Sequence, residues 1–148
     1  MSVNIHIQAE DFDVSDEIEA LTTETTGAVA SFVGLVRGGD DLTALTLEHY
    51  PQMTEREIGR IAAEAQARWP LESLTIIHRV GRLTVGERIV LVAVAASHRA
   101  AAFEACEFLM DYLKTRAPFW KQEERGGTTR WVEHRDADAA AAERWRKP

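Results

Sequence analysis

Residues 87–97, ERIVLVAVAAS, are apolar at successive positions from Ile89 to Ala96. A strand with no polar face must be covered on both sides, so it belongs in the interior of a sheet. The period then changes at once. Ala102, Phe103, Cys106, Leu109, Met110 and Leu113 recur at helical spacing. Ser97 is the expected N-cap of this helix. Pro118 is its stop, because the residue before a proline avoids the α region. The helix so defined has about 20 residues and a length of roughly 25–30 Å.

The other elements follow from similar signals. Val3, Ile5 and Ile7 alternate as in a strand, and Asp13 or Ser15 can cap a short helix to Thr22. GAVASFVGLVR (27–37) and TALTLEHY (43–50) read as strands on either side of Gly38-Gly39-Asp40-Asp41, a hairpin with a mobile tip. Thr54 is expected to cap a helix to Trp69, burying Ile58, Ile61, Ala62, Ala65 and Trp69, and Pro70 ends it. SLTIIHRVG (73–81) joins the interior strand through a glycine-containing connection. FWKQEE and TTRWVEH flank Gly126-Gly127 as a hairpin, and Asp136 caps a last alanine-rich helix. The predicted order is β-α-β-β-α-β-β-α-β-β-α. Consecutive strand pairs point to antiparallel pairing, hence an α+β fold. No repeat or linker divides the chain, so residues 1–148 are expected to form one domain.

Charge removes several functions. The chain carries a net charge of −7, which argues against a nucleic-acid or anionic-membrane binder. Its longest apolar run is far short of a bilayer span. The N-terminus shows no secretory pattern, and the single cysteine, Cys106, fits a reducing cytosol. The five histidines and one cysteine show no paired ligand spacing, so no metal site is expected. GxGxxG, GxxxxGK[ST] and GxSxG are all absent, and no cofactor is expected. Cys106 lies on the apolar stripe and reads as a structural thiol.

One window reverses the sign. Residues 114–130 hold five Lys/Arg against two Glu. Lys114 falls in the last turn of the long helix, where a lysine ordinarily complements the helix dipole. Lys121 follows seven residues later, beyond a proline that turns the chain. Two ammonium groups brought together disfavour each other's charged form, which makes a nucleophile or a proton carrier. His98 and Arg99 stand at the helix N-terminus, a natural anion site. Arg37 ends the strand before Gly38-Gly39. Lys114 and the His98-Arg99 pair are a helix length apart, so one small site can use both only if the helix is shorter or bent, if a second copy contributes, or if a groove spanned by the ligand joins them.

The segments FVGLVR, LTLEHYPQMTE, IIHRVGRLTVGE, SHRAAAFEACEFLMDYLKTRAPFWKQE and RWVEHRD occur here in order. Together they resemble the catalytic (large) subunit of molybdopterin synthase over nearly the whole chain. SHRxxAF and LKTRAPFWKxE are the specific parts. The resemblance implies an α/β-hammerhead-like fold with an additional antiparallel sheet. It implies a cytoplasmic sulfurtransferase of molybdenum cofactor biosynthesis. The substrate would be cyclic pyranopterin monophosphate (precursor Z), converted to molybdopterin. Sulfur would come from the C-terminal Gly-Gly thiocarboxylate of a small ubiquitin-fold partner subunit, with two transfers per product. The implied assembly is a homodimer of large subunits with a small subunit at each end, a heterotetramer. Lys114 and Lys121 are the implied catalytic residues. Arg37, His98, Arg99, Gln122 and Glu123 are the implied substrate-binding residues, with Arg130 and Arg135 behind them. Phe119 and Trp120 would supply a low-dielectric wall. The loop GGDDLTAL departs from the pattern: it is short, and it sets two aspartates where a phosphate would approach. The competing reading is a non-catalytic dimeric scaffold that binds the small subunit or a phosphorylated ligand.

Overall fold

The computed structural model describes residues 2–132 and 136–146. Its elements are β1 (Ser2–Gln8), α1 (Val14–Leu21), β2 (Ala28–Leu35), β3 (Leu42–His49), α2 (Met53–Arg68), β4 (Leu71–Arg79), β5 (Gly81–Thr84), β6 (Arg88–Ala96), α3 (Arg99–Thr115), β7 (Phe119–Arg125), β8 (Thr128–Val132) and α4 (Asp136–Glu143). The fold is α+β with two four-stranded sheets, ordered β1-β4-β6-β2 and β5-β3-β7-β8. All pairings are antiparallel except β1 with β4.

The apolar strand is interior, as its composition requires. Strand β6 lies between β4 and β2, and its alternate side chains enter two cores. Val90, Val92, Val94 and Ala96 face α2 and α3, together with Leu74, Ile76 and Ala30. Leu91, Ala93 and Ala95 face the other way, with Phe12 and Leu21. Helix α2 buries Ile58, Ile61, Ala62 and Ala65, while Trp69 is half-buried. A third, smaller core of Val36, Leu45, Leu47 and Leu83 lies beneath the second sheet.

Five expectations are corrected. The segments 27–37 and 43–50 do not form a hairpin: β2 pairs with β6, whereas β3 pairs with β5 and β7. The chain leaves the first sheet at Leu35, where the register breaks. It is then pinned by Val36, whose N–H donates to Glu87 O and whose carbonyl accepts from Gly86 N. The connection after β4 contains a strand of its own, β5, so the order has one strand more than predicted. Gly81, at φ 92°, lets the chain turn out of one sheet into the other. Buried Leu83 rewards that turn.

The caps also differ. Helix α3 starts one residue later than Ser97 predicts, with His98 at the N-cap position. Thr54 lies inside α2, fully buried. Its hydroxyl accepts from Tyr50 N–H and donates to Pro118 O, both at 3.0 Å. Finally, Phe103 does not join the apolar stripe of α3, because its ring is 65% exposed. The Gly126-Gly127 hairpin and the Asp13 cap of α1 are as expected, and both glycines have positive φ.

Candidate active site

A cleft of about 320 Å³ opens where the C-terminal end of α3 passes over the first sheet. Its floor is one cross-strand row, His78 on β4, Val90 on β6 and Gly34 on β2. Gly34 is needed for space: a Cβ there would lie 2.7 Å from Val90 Cγ1 and 3.4 Å from the Phe32 ring. Met110, Leu113 and Lys114 of α3 form the opposite wall. Lys114 is exposed and has no ion pair or hydrogen bond among the described residues.

Beside the cleft, Phe119 stacks on His78 with ring centroids 3.8 Å apart and 15° between the planes. The His78 Nδ1 lies 2.9 Å from Arg79 O. A carbonyl only accepts, so Nδ1 carries the hydrogen. Burial holds the imidazole down at about 4, opposed by that hydrogen bond and aided by the charges of Lys114 and His49. His78 is therefore neutral at pH 7.

Strand β7 sorts its residues by parity. Phe119, Lys121 and Glu123 oppose His49, Leu47 and Leu45 and share the face that carries the third core. Lys121 thus stands two residues beyond the ring stacked on His78, on the same face. Trp120 and Gln122 point to the other face, where Trp120 packs edge-on to Tyr50 at 4.0 Å. The expected wall is half right: Phe119 flanks the cleft side, but Trp120 does not.

The positive window is largely neutralised. Arg116 pairs with Glu57 and Glu64, while Arg125 and Arg130 pair with Glu123. The Glu123 carboxyl is held below its ordinary value, first by Arg125 and also by the charge of Lys121. Glu123 therefore organises cations. Arg125 also donates to Asp40 O and Gly39 O, which ties down the loop after Arg37. Arg37 itself is exposed and unpaired among the described residues. His98 and Arg99 are exposed at the far end of α3, about 22 Å from Lys114 by helical rise. One chain does not bring them to the cleft. Arg135 lies outside the described residues.

His78 and Phe32 were missed as site residues by sequence reasoning. The signal for His78 was its phase: it follows Leu74 and Ile76 at alternate positions, on the buried face of its strand.

The family described as MoaE protein matches residues 7–116. The chain belongs to this family. A molybdopterin synthase catalytic subunit from Mesorhizobium japonicum is 57% identical over 151 residues, covering 99% of this chain and 95% of the relative. A solved structure of molybdopterin cofactor biosynthesis protein E from Burkholderia multivorans superposes with a TM-score of 0.85 at 50% identity, covering 98% and 97% of the two chains. The structure of molybdopterin synthase from Staphylococcus aureus gives 0.82 at 32% identity, covering 87% and 96%.

Proposed function

We propose that this chain is the catalytic subunit of a molybdopterin synthase, acting as a cytoplasmic sulfurtransferase in molybdenum cofactor biosynthesis. It converts cyclic pyranopterin monophosphate to molybdopterin with sulfur from the C-terminal thiocarboxylate of a small ubiquitin-fold subunit. The observation that carries the reading is the cleft itself: an apolar channel, floored by a glycine, that ends on a lysine. Such a cleft suits a Gly-Gly tail, because a chain without side chains can lie close to the floor that Gly34 leaves open. The terminal anion then meets the Lys114 ammonium in surroundings of low dielectric, where the attraction is strong. The thiocarboxylate sulfur bonds to a pterin side-chain carbon as a carbon–oxygen bond there breaks, and Lys114 gives a proton to the departing oxygen. Water then cleaves the acyl–sulfur bond, leaving the sulfur on the pterin and a carboxylate on the tail. Lys121, across the His78–Phe119 stack, holds anionic charge. Arg37, two residues beyond β2, binds the cyclic phosphate.

The assembly is a homodimer with a small subunit at each end. Arg99, Phe103, Met110 and Lys114 lie along one edge of α3, and Phe32 and Leu35 add exposed apolar surface beside it. A two-fold contact on this edge runs the two helices antiparallel. It covers the apolar stripe and brings His98 and Arg99 of one copy to Lys114 of the other. This supports a site shared between subunits and accounts for a pair that one chain leaves about 22 Å away.

The test is single-turnover sulfur transfer from thiocarboxylated partner to the pterin, read by mass spectrometry. Lys114→Ala should lower the rate by at least about a hundredfold while partner binding is kept. A near-normal rate would remove Lys114 from the chemistry. If the unaltered chain binds the partner but transfers no sulfur, the scaffold reading replaces the enzyme.

A further inference from the structure

The ten residues lining the cleft are almost all apolar. Only His78 and Lys114 bring a nitrogen-bearing side chain. Their chemistry is complementary. An ammonium or amine has hydrogens to donate, and the fixed Nδ1–H of His78 leaves Nε2 with a lone pair. That Nε2 has no partner among the described residues. His78 is half-buried and lines the cleft, so its Nε2 edge is the part of the ring a cleft group can reach. The ring cannot readily turn away, because the Phe119 stack and the Nδ1 hydrogen bond both hold its plane.

We propose that His78 is the positioning residue for Lys114: when a ligand fills the cleft and displaces water, His78 Nε2 accepts a hydrogen bond from Lys114 Nζ. The inference rests on the functional reading above and adds a residue to it. Lys114 ends a flexible four-carbon chain, and a flexible donor reacts well only when it is held in one place. In the filled cleft the tail anion takes one of the three ammonium donors, a second donor left without a partner would be costly, and His78 is the strongest side-chain acceptor lining the cleft. The imidazole serves because it stays neutral; a second cation there would repel Lys114. The groups that act on it are Lys114 from α3 and His49 from β3, with Phe119 of β7 against its face.

Two measurements test this. His78→Phe keeps a ring against Phe119 and removes the acceptor, whereas His78→Gln keeps an acceptor and removes the ring. Single-turnover sulfur transfer should fall by about tenfold or more in His78→Phe, with the half-saturating concentration of partner unchanged, and should recover substantially in His78→Gln. In the unaltered protein, the imidazole nitrogen-15 signals should show Nε2 unprotonated. Nε2 should shift toward the hydrogen-bonded range when the partner tail enters, and not in Lys114→Ala. The proposal is overturned if His78→Phe transfers sulfur within twofold of the parent, if His78→Gln is no better than His78→Phe, or if Nε2 carries the proton. Failure of the functional reading looks different: the unaltered chain would then bind the partner and transfer no sulfur.

Discussion

His78 carries a second, independent consequence at the scale of single residues. Its pKa falls from 6.5 to about 4 on folding. Above pH 6.5 both states are neutral and the group contributes nothing to pH dependence. As the pH drops below 6.5, the unfolded chain gains a proton that the folded chain refuses. Stability is therefore lost between pH 6.5 and 4, by about 2 kcal/mol at pH 5. Urea titrations at pH 7 and pH 5 should show this loss in the parent, and His78→Gln should show it reduced. Cys106 gives the opposite kind of prediction. Burial, with a contribution from Glu107, pushes its thiol up to about 11. It should resist thiol reagents at pH 8 in the folded protein and react promptly in denaturant. Rapid labelling of the native chain would show that the α3 core opens readily.

At the scale of elements, Thr54 joins α2 to the turn that starts β7. A single buried hydroxyl serves Tyr50 N–H and Pro118 O. Thr54→Val keeps the shape and strands both groups, so unfolding free energy should drop by about 1–3 kcal/mol in chemical denaturation. The same contact explains what the sequence could and could not tell. Interior β6, the α2 stripe and the glycine hairpin were legible because burial and turn geometry are written locally. The partners of β2 and β3 were not: adjacent strands favour a hairpin by proximity, and the deciding contacts of Val36 with Gly86 and Glu87 come from fifty residues away. Thr54 was read as a cap because its tertiary role depends on Pro118. Phe103 was read as core because helical spacing resolves faces only coarsely, and it sits at the edge of the buried arc. Lys114 and Lys121 stood out through local charge and the resemblance. His78, a lone histidine in an apolar strand, had no charged neighbourhood to mark it.

At the scale of the whole molecule, Phe103 is the residue to change. It is exposed in the middle of the α3 edge that carries Arg99 and Lys114. Phe103→Glu should leave the fold within about 0.5 kcal/mol, since surface substitutions cost little. It should convert the proposed dimer to a monomer in analytical ultracentrifugation and abolish most sulfur transfer, although residue 103 lies about three helical turns from Lys114. A dimeric, active Phe103→Glu would place the two-fold contact elsewhere. The length of α3 also has a genetic meaning. In the proposed dimer a defect at its start, Arg99→Ala, and a defect at its end, Lys114→Ala, damage the same site from different polypeptides. Each inactive alone, the two alleles should complement when expressed together, since mixed dimers keep one intact site and about a quarter of all sites are restored. Two alleles altered at the same end should not.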